Sequence, residues 1–127
     1  MPAPKASRVR HMLPVEAAWV GALLEGEGSL RLSLNRKYGN SYPQLVVGVT
    51  DIETIATLFR LIGDGTIYYR AAGHQLRFPN AKPIWVWQLS NSPSVLALLP
   101  QVYPYLTSKR TNAELILKHY GKEPFWT

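Results

Sequence analysis

The hydrophobic pattern begins with an unbroken apolar stretch, Ala17-Ala18-Trp19-Val20-Gly21-Ala22-Leu23-Leu24, which reads as a helix over residues 14–26 with Pro14 as an early helical residue. Strict alternation follows at once. Over residues 29–37, Leu30, Leu32 and Leu34 take one face of a strand, while Ser29, Arg31, Ser33, Asn35 and Lys37 take the other. Turn chemistry at Tyr38-Gly39-Asn40-Ser41 predicts a hairpin. The return strand, residues 42–50, turns Leu45, Val47 and Val49 inward and Tyr42, Gln44, Val46, Gly48 and Thr50 outward. Asp51 or Thr50 then caps a second helix with an apolar stripe of Ile52, Ile55, Ala56, Leu58, Phe59 and Ile62, ended by Gly63-Asp64-Gly65. A third strand, residues 66–70, alternates Thr66, Tyr68 and Arg70 with Ile67 and Tyr69. A loop over 71–83 holds His74, Arg77 and Lys82. In a fourth strand, residues 84–90, Trp85, Trp87 and Leu89 point inward, and Ile84, Val86 and Gln88 outward. Helices opening at Pro93 or Ser94 and near Thr111 close the chain, with a break at Pro104-Tyr105-Leu106. This order predicts an α+β fold, αββαββα(α), with a four-stranded antiparallel sheet and its helices on one face.

The same pattern divides the chain into a flexible basic arm (1–13), one domain (14–120) and a tail (121–127) that ends in Phe125 and Trp126. A total of 127 residues suits one domain with a real core. With 14 Lys+Arg against 8 Asp+Glu, the net charge of +6 suits a polyanionic partner. The absence of cysteine excludes disulfides, zinc–cysteine sites and thiol catalysis. No apolar run reaches the roughly 20 residues needed to span a bilayer, and the basic N-terminus has no apolar signal core. The expectation is an intracellular protein without a membrane partner.

Several residues break local rules. Gly21 sits in mid-helix, where glycine costs about 1 kcal/mol relative to alanine, so a close approach to the backbone is expected there. Ala18, Gly21, Ala22 and Glu25 fall on one helical face with almost no bulk, a face suited to packing against another helix. Glu25 and Glu27 close the helix at the negative end of its dipole, and Lys109 and Arg110 open the last helix at its positive end. Two carboxylates beside Gly26 and Gly28 read either as surface acids or as oxygen ligands for a hard divalent cation. Lys109 and Arg110 are placed to stabilise phosphoryl charge, or are simply solvated. On the sheet, Arg31, Ser33, Asn35, Lys37, Gln44, Arg70 and Gln88 make an outward face without a carboxylate. A β-ribbon carrying such residues can read base edges in a DNA major groove; an ordinary solvated face is the plainer alternative. His11, His74 and His119 have no metal-ligand spacing, and no phosphate-binding glycine loop or nucleophile elbow is present.

Val20-Gly21-Ala22-Leu23-Leu24-Glu25-Gly26-Glu27-Gly28, followed by strand–hairpin–helix–hairpin–helices, resembles the signature and layout of the LAGLIDADG homing endonucleases over about residues 14–120. The resemblance implies a saddle-shaped sheet lying over double-stranded DNA. It also implies that a chain with one motif works as a homodimer, joined through Ala18, Gly21, Ala22 and the neighbouring Glu25. By the same resemblance Glu27 is the metal-binding acid, the Gly26 carbonyl a second metal ligand, and Lys109 the active-site lysine. Asp51 stands where relatives carry a water-orienting residue, often glutamine. The implied reaction is Mg²⁺-dependent hydrolysis of both strands across the minor groove of a long, pseudo-palindromic site, with Mn²⁺ as a substitute metal. DNA contacts would come from Ser29, Arg31, Ser33, Asn35, Lys37, Tyr42, Gln44, Tyr68, Arg70, Arg77, Gln88 and Arg110. The alternatives are a silent DNA-binding regulator or an RNA-splicing maturase of the same fold, the latter with RNA as its partner.

Overall fold

The computed structural model describes residues 6–71 and 82–121. Its elements run α1 (Pro14–Glu27), β1 (Gly28–Asn35), β2 (Asn40–Val49), α2 (Ile52–Ile62), β3 (Thr66–Arg70), β4 (Ile84–Leu89), α3 (Ser92–Val102), a 3-10 turn (Tyr103–Tyr105) and α4 (Arg110–His119). The strands form one open antiparallel sheet in the order β1-β2-β4-β3. The α+β order read from the alternation is therefore the observed one. Two hairpins abut through their second strands, where Val46 faces Gln88 and Val47 faces Trp87.

Period-two alternation sends Leu30, Leu45, Val47, Trp87 and Leu89 to the helix side of the sheet. There they join Val20 and Leu24 of α1, Ile55, Leu58 and Ile62 of α2, Leu98 and Leu99 of α3, and Ile116 and Leu117 of α4 in one core. Trp87 is fully buried, and its indole N–H donates to the Asp64 carbonyl at 2.9 Å, so its polar edge is satisfied. β1 is an edge strand. The α4 residue Asn112 covers that edge, donating from Nδ2 to the Leu30 carbonyl at 3.0 Å.

Two expectations need correction. The first concerns the β1–β2 turn, which lies earlier than its composition indicated. Asn35 Oδ1 accepts from the Lys37 and Tyr38 amides at 3.0 and 3.4 Å, so the chain reverses over residues 36–39 and pairing resumes at Asn40 opposite Asn35. Lys37 is thus at the hairpin tip and not on a strand. The second concerns the N-terminal stretch: residues 8–13 are packed into the domain, not a free arm. Arg10 donates its backbone N–H to the Ile62 carbonyl at 2.8 Å and its guanidinium to the Leu61 carbonyl at 2.9 Å. It thereby fills acceptors that the end of α2 leaves open. Met12 is buried, and its amide donates to Gln101 Oε1 at 2.7 Å.

Candidate nucleic-acid interface and acidic centre

α1 passes directly into β1 at Gly28. A Cβ there would stand 2.6 Å from the Leu24 carbonyl oxygen, so only glycine allows this corner. The corner leaves Glu27 exposed, with no hydrogen bond or ion pair to its carboxylate among the described residues.

Glu25 behaves differently. One carboxylate oxygen accepts from the amides of Thr107 and Lys109 at 2.7 and 3.1 Å, and the other accepts from the Ser108 hydroxyl. The Ser108 hydroxyl above all, then the Thr107 amide, hold its carboxyl down to about 2 from an ordinary 4.5. Lys109 reaches the opposite way, its Nζ donating to the carbonyls of Glu25 at 2.7 Å and Leu24 at 3.1 Å. Each charge is misplaced in its own helix and well placed on the other. Glu25 serves the amides entering α4, and Lys109 serves the carbonyls ending α1. This exchange brings Lys109 to the helical turn that carries Glu27.

The donor set at that turn fits the implied metal. Glu27 supplies a free carboxylate and Gly26 a backbone carbonyl, both hard oxygen donors. Mg²⁺ commonly takes one or two protein oxygens and fills its shell with phosphate and water. Among the described residues no three His, Cys, Asp or Glu side chains converge. A cation here would depend on nucleic acid, water or a second copy for its other ligands.

Other expected residues are placed otherwise. Asp51 Oδ1 accepts from the Glu53 amide at 3.1 Å and Oδ2 from the Thr54 hydroxyl at 2.9 Å, so both oxygens are used in capping α2. Arg110 lies off the sheet face. Its guanidinium donates to the Pro104 carbonyl at 3.3 Å and sits 5.4 Å from the Tyr103 ring centre. Arg77, like His74, falls outside the described residues.

The register gathers the remaining candidates on the side of the sheet away from the helices. Arg31 pairs with Gln44, and Ser33 with Tyr42; across the sheet Val46 pairs with Gln88, which pairs with Thr66. Two polar clusters result. Gln44 Oε1 accepts from Arg31 Nε at 2.9 Å and from the Ser33 hydroxyl at 3.1 Å. At the β3–β4 end, Arg70 donates to the Tyr68 hydroxyl at 3.2 Å and lies over its ring, and Tyr68 reaches Gln88 at 3.4 Å. Between the clusters lie Val46, Gly48 and Val86, and Val86 is buried although it is on the outward side. A cleft of about 370 Å³ opens beside the second cluster, lined by Asp64, Thr66, Tyr68, Gln88, Ser90 and Asn91 among others.

Asp64 was legible in the sequence only as part of a turn. Its carboxylate accepts from the buried Ser94 hydroxyl, from the Gly65 amide at 2.8 Å and from the Arg8 amide at 3.2 Å. It thus ties α3 and the N-terminal stretch to the sheet. The acid lying between two glycines in Gly63-Asp64-Gly65 was the one available signal.

The outer face of α1 also differs from expectation. Gly21 is buried, because a Cβ there would come 2.8 Å from Tyr105 Cβ and 3.3 Å from the Val102 carbonyl. The close approach inferred for this glycine is thus made by the chain's own 3-10 turn. Glu25 likewise bonds within the chain. Apart from Pro14 and Glu27 at its ends, the exposed positions of α1 are Val15 (74%), Trp19 (39%), Ala22 and Gly26, at spacings of four, three and four, with Ala18 half-buried beside them. Val15, Trp19 and Ala22 therefore leave an exposed apolar stripe that water does not favour.

No protein-family model and no curated protein matches the chain. Solved structures do resemble it. The homing endonuclease I-CvuI, in complex with a DNA target in the presence of Mg, superposes with a TM-score of 0.70 at 19% identity, covering 87% of this chain and 69% of that one. A second I-CvuI complex, with its own target and Ca, is 65% covered at a TM-score of 0.67 and 19% identity, over 83% of this chain. The group I intron-encoded I-CeuI complexed with DNA gives 0.64 at 17% identity, over 88% of this chain and 58% of that one. This chain therefore spans about two thirds or less of most such proteins. An α1 ending in acids, an open sheet with helices on one side, and these superpositions agree: the chain has the fold of the LAGLIDADG homing endonucleases.

Proposed function

We propose that the protein is a site-specific double-strand DNA endonuclease that works as a homodimer and requires Mg²⁺. The observation that carries this reading is the unpartnered Glu27 carboxylate, exposed at the helix corner two residues after the Glu25 carbonyl that Lys109 binds, where a polar, carboxylate-free strand face begins. The likeness in fold to I-CvuI and I-CeuI, both homing endonucleases in complex with DNA, supports it.

Pairing α1 with α1 of a second copy through Val15, Trp19 and Ala22, with Ala18 beside them, would cover the apolar stripe and bring two Glu27 carboxylates to the same place. Glu27 and the Gly26 carbonyl would hold the metal, whose chemistry is to lower the pKa of a bound water and to offset charge on the scissile phosphate. Lys109 adds a fixed positive charge at that end of α1. Outward from the corner, β1 runs seven residue steps from Gly28 to Asn35, which is about 23 Å, or about seven base pairs of each half-site.

The test is cleavage of a randomised duplex library with Mg²⁺, with the Glu27→Gln variant run in parallel. Double-strand cuts at a roughly palindromic site are expected, and the variant should bind that site but fall in cleavage rate by about 100-fold or more. Cleavage that survives in the variant would remove Glu27 from the chemistry. Binding without any cut by the unaltered protein would mean a DNA-recognition module, and retention of structured RNA in preference to duplex DNA would mean a maturase.

A further inference from the structure

The strand face carries two arginines among the described residues, and they are held in opposite ways. Arg70 is laid over the Tyr68 ring with a terminal nitrogen bound to the tyrosine hydroxyl. Arg31 is bound only through Nε, to Gln44 Oε1 at 2.9 Å. Nε is a donor and nothing else, so the Gln44 amide must turn its oxygen toward Arg31. The Ser33 hydroxyl, on the same oxygen at 3.1 Å, holds that amide in place. Both terminal NH₂ groups of Arg31 are left free among the described residues, on an exposed side chain that points away from the helices. A guanidinium steered through Nε presents those two groups as a planar fork. That fork matches the O6 and N7 acceptors of guanine in the major groove.

Resting on the DNA-binding reading above, we propose that Arg31 selects a guanine in each half-site and that Gln44 is the residue that positions it. The guanine lies on the hairpin side of the bases opposite Val46, Gly48 and Val86.

The proposal separates from general electrostatic attraction by substitution. Binding selection on a randomised duplex library is expected to return one strongly preferred guanine per half-site. Arg31→Lys keeps the charge but not the fork. It should lose about ten- to hundredfold of guanine discrimination at that one position. Gln44→Ala should erode the same preference without touching the others, and Gln44→Glu, which keeps an acceptor for Nε, should restore most of it. If a motif emerges without that guanine, or if Gln44→Ala leaves the guanine preference intact, the proposal is overturned while DNA recognition stands. If no duplex is enriched at all, the DNA-binding reading fails and the proposal falls with it.

Discussion

A glutamate at the C-terminus of one helix and a lysine at the N-terminus of another are each unfavourable where they stand, yet together they are one device. Glu25 accepts the amides of Thr107 and Lys109, and Lys109 donates to the carbonyls of Leu24 and Glu25. Each repairs the end of the other's helix. Glu25 therefore has a measurable pH signature. Its carboxyl is held at about 2 when folded, against an ordinary 4.5. A folded-state value below the unfolded one stabilises the fold above about pH 4.5, and the contribution is lost as pH falls toward 2. Asp64 acts in the same direction. Burial pushes its carboxyl up, but the Ser94 hydroxyl and the Gly65 and Arg8 amides outweigh it and hold it below the usual range. The thermal midpoint of Glu25→Gln is expected to lie below that of the unaltered protein at about pH 6, with the gap narrowing toward pH 2. A gap that does not change with pH would mean the carboxylate charge is not what those amides bind.

At the scale of elements, α1 has two faces that substitution can tell apart. An alanine at position 21 would thrust a Cβ to 2.8 Å from Tyr105 Cβ and 3.3 Å from the Val102 carbonyl, neither of which is the far end of a flexible side chain. Gly21→Ala is expected to destabilise the fold by about 1–3 kcal/mol in a denaturant titration, although alanine is the better helix former by about 1 kcal/mol. Ala22, one residue on, is exposed. Ala22→Arg should leave the fold within about 0.5 kcal/mol and abolish self-association in sedimentation analysis. A dimer that persists in Ala22→Arg would place the contact elsewhere. The two neighbours are the same kind of small residue in the sequence, and helical spacing alone put both on one face. Packing of the 3-10 turn against α1 divides them, and that contact joins positions about eighty residues apart.

For the whole molecule, a net charge of +6 and a strand face without carboxylates predict binding dominated by phosphate contacts. The logarithm of the binding constant should fall linearly with the logarithm of salt, with a slope of about −0.9 for each phosphate neutralised. Titration at several salt concentrations measures it. A flat response would argue against a duplex partner.

The sequence alone was enough for the element order, the inward and outward faces of all four strands, and the acid-rich end of α1, because these depend on periodicity and on neighbours in the chain. It also marked Glu25, Gly21 and Lys109 as locally anomalous. Only the tertiary structure decided what each anomaly was for. The partners of Glu25 lie at positions 107–109, those of Gly21 at 102 and 105, and those of Asp64 at 8 and 94. The hairpin turn shifted because one Asn35 side chain outbid the turn-forming residues after it, and the N-terminal stretch was captured by open carbonyls on α2. Local pattern specifies which face a side chain takes; which distant group completes its hydrogen bonds is settled only when the chain has folded back on itself.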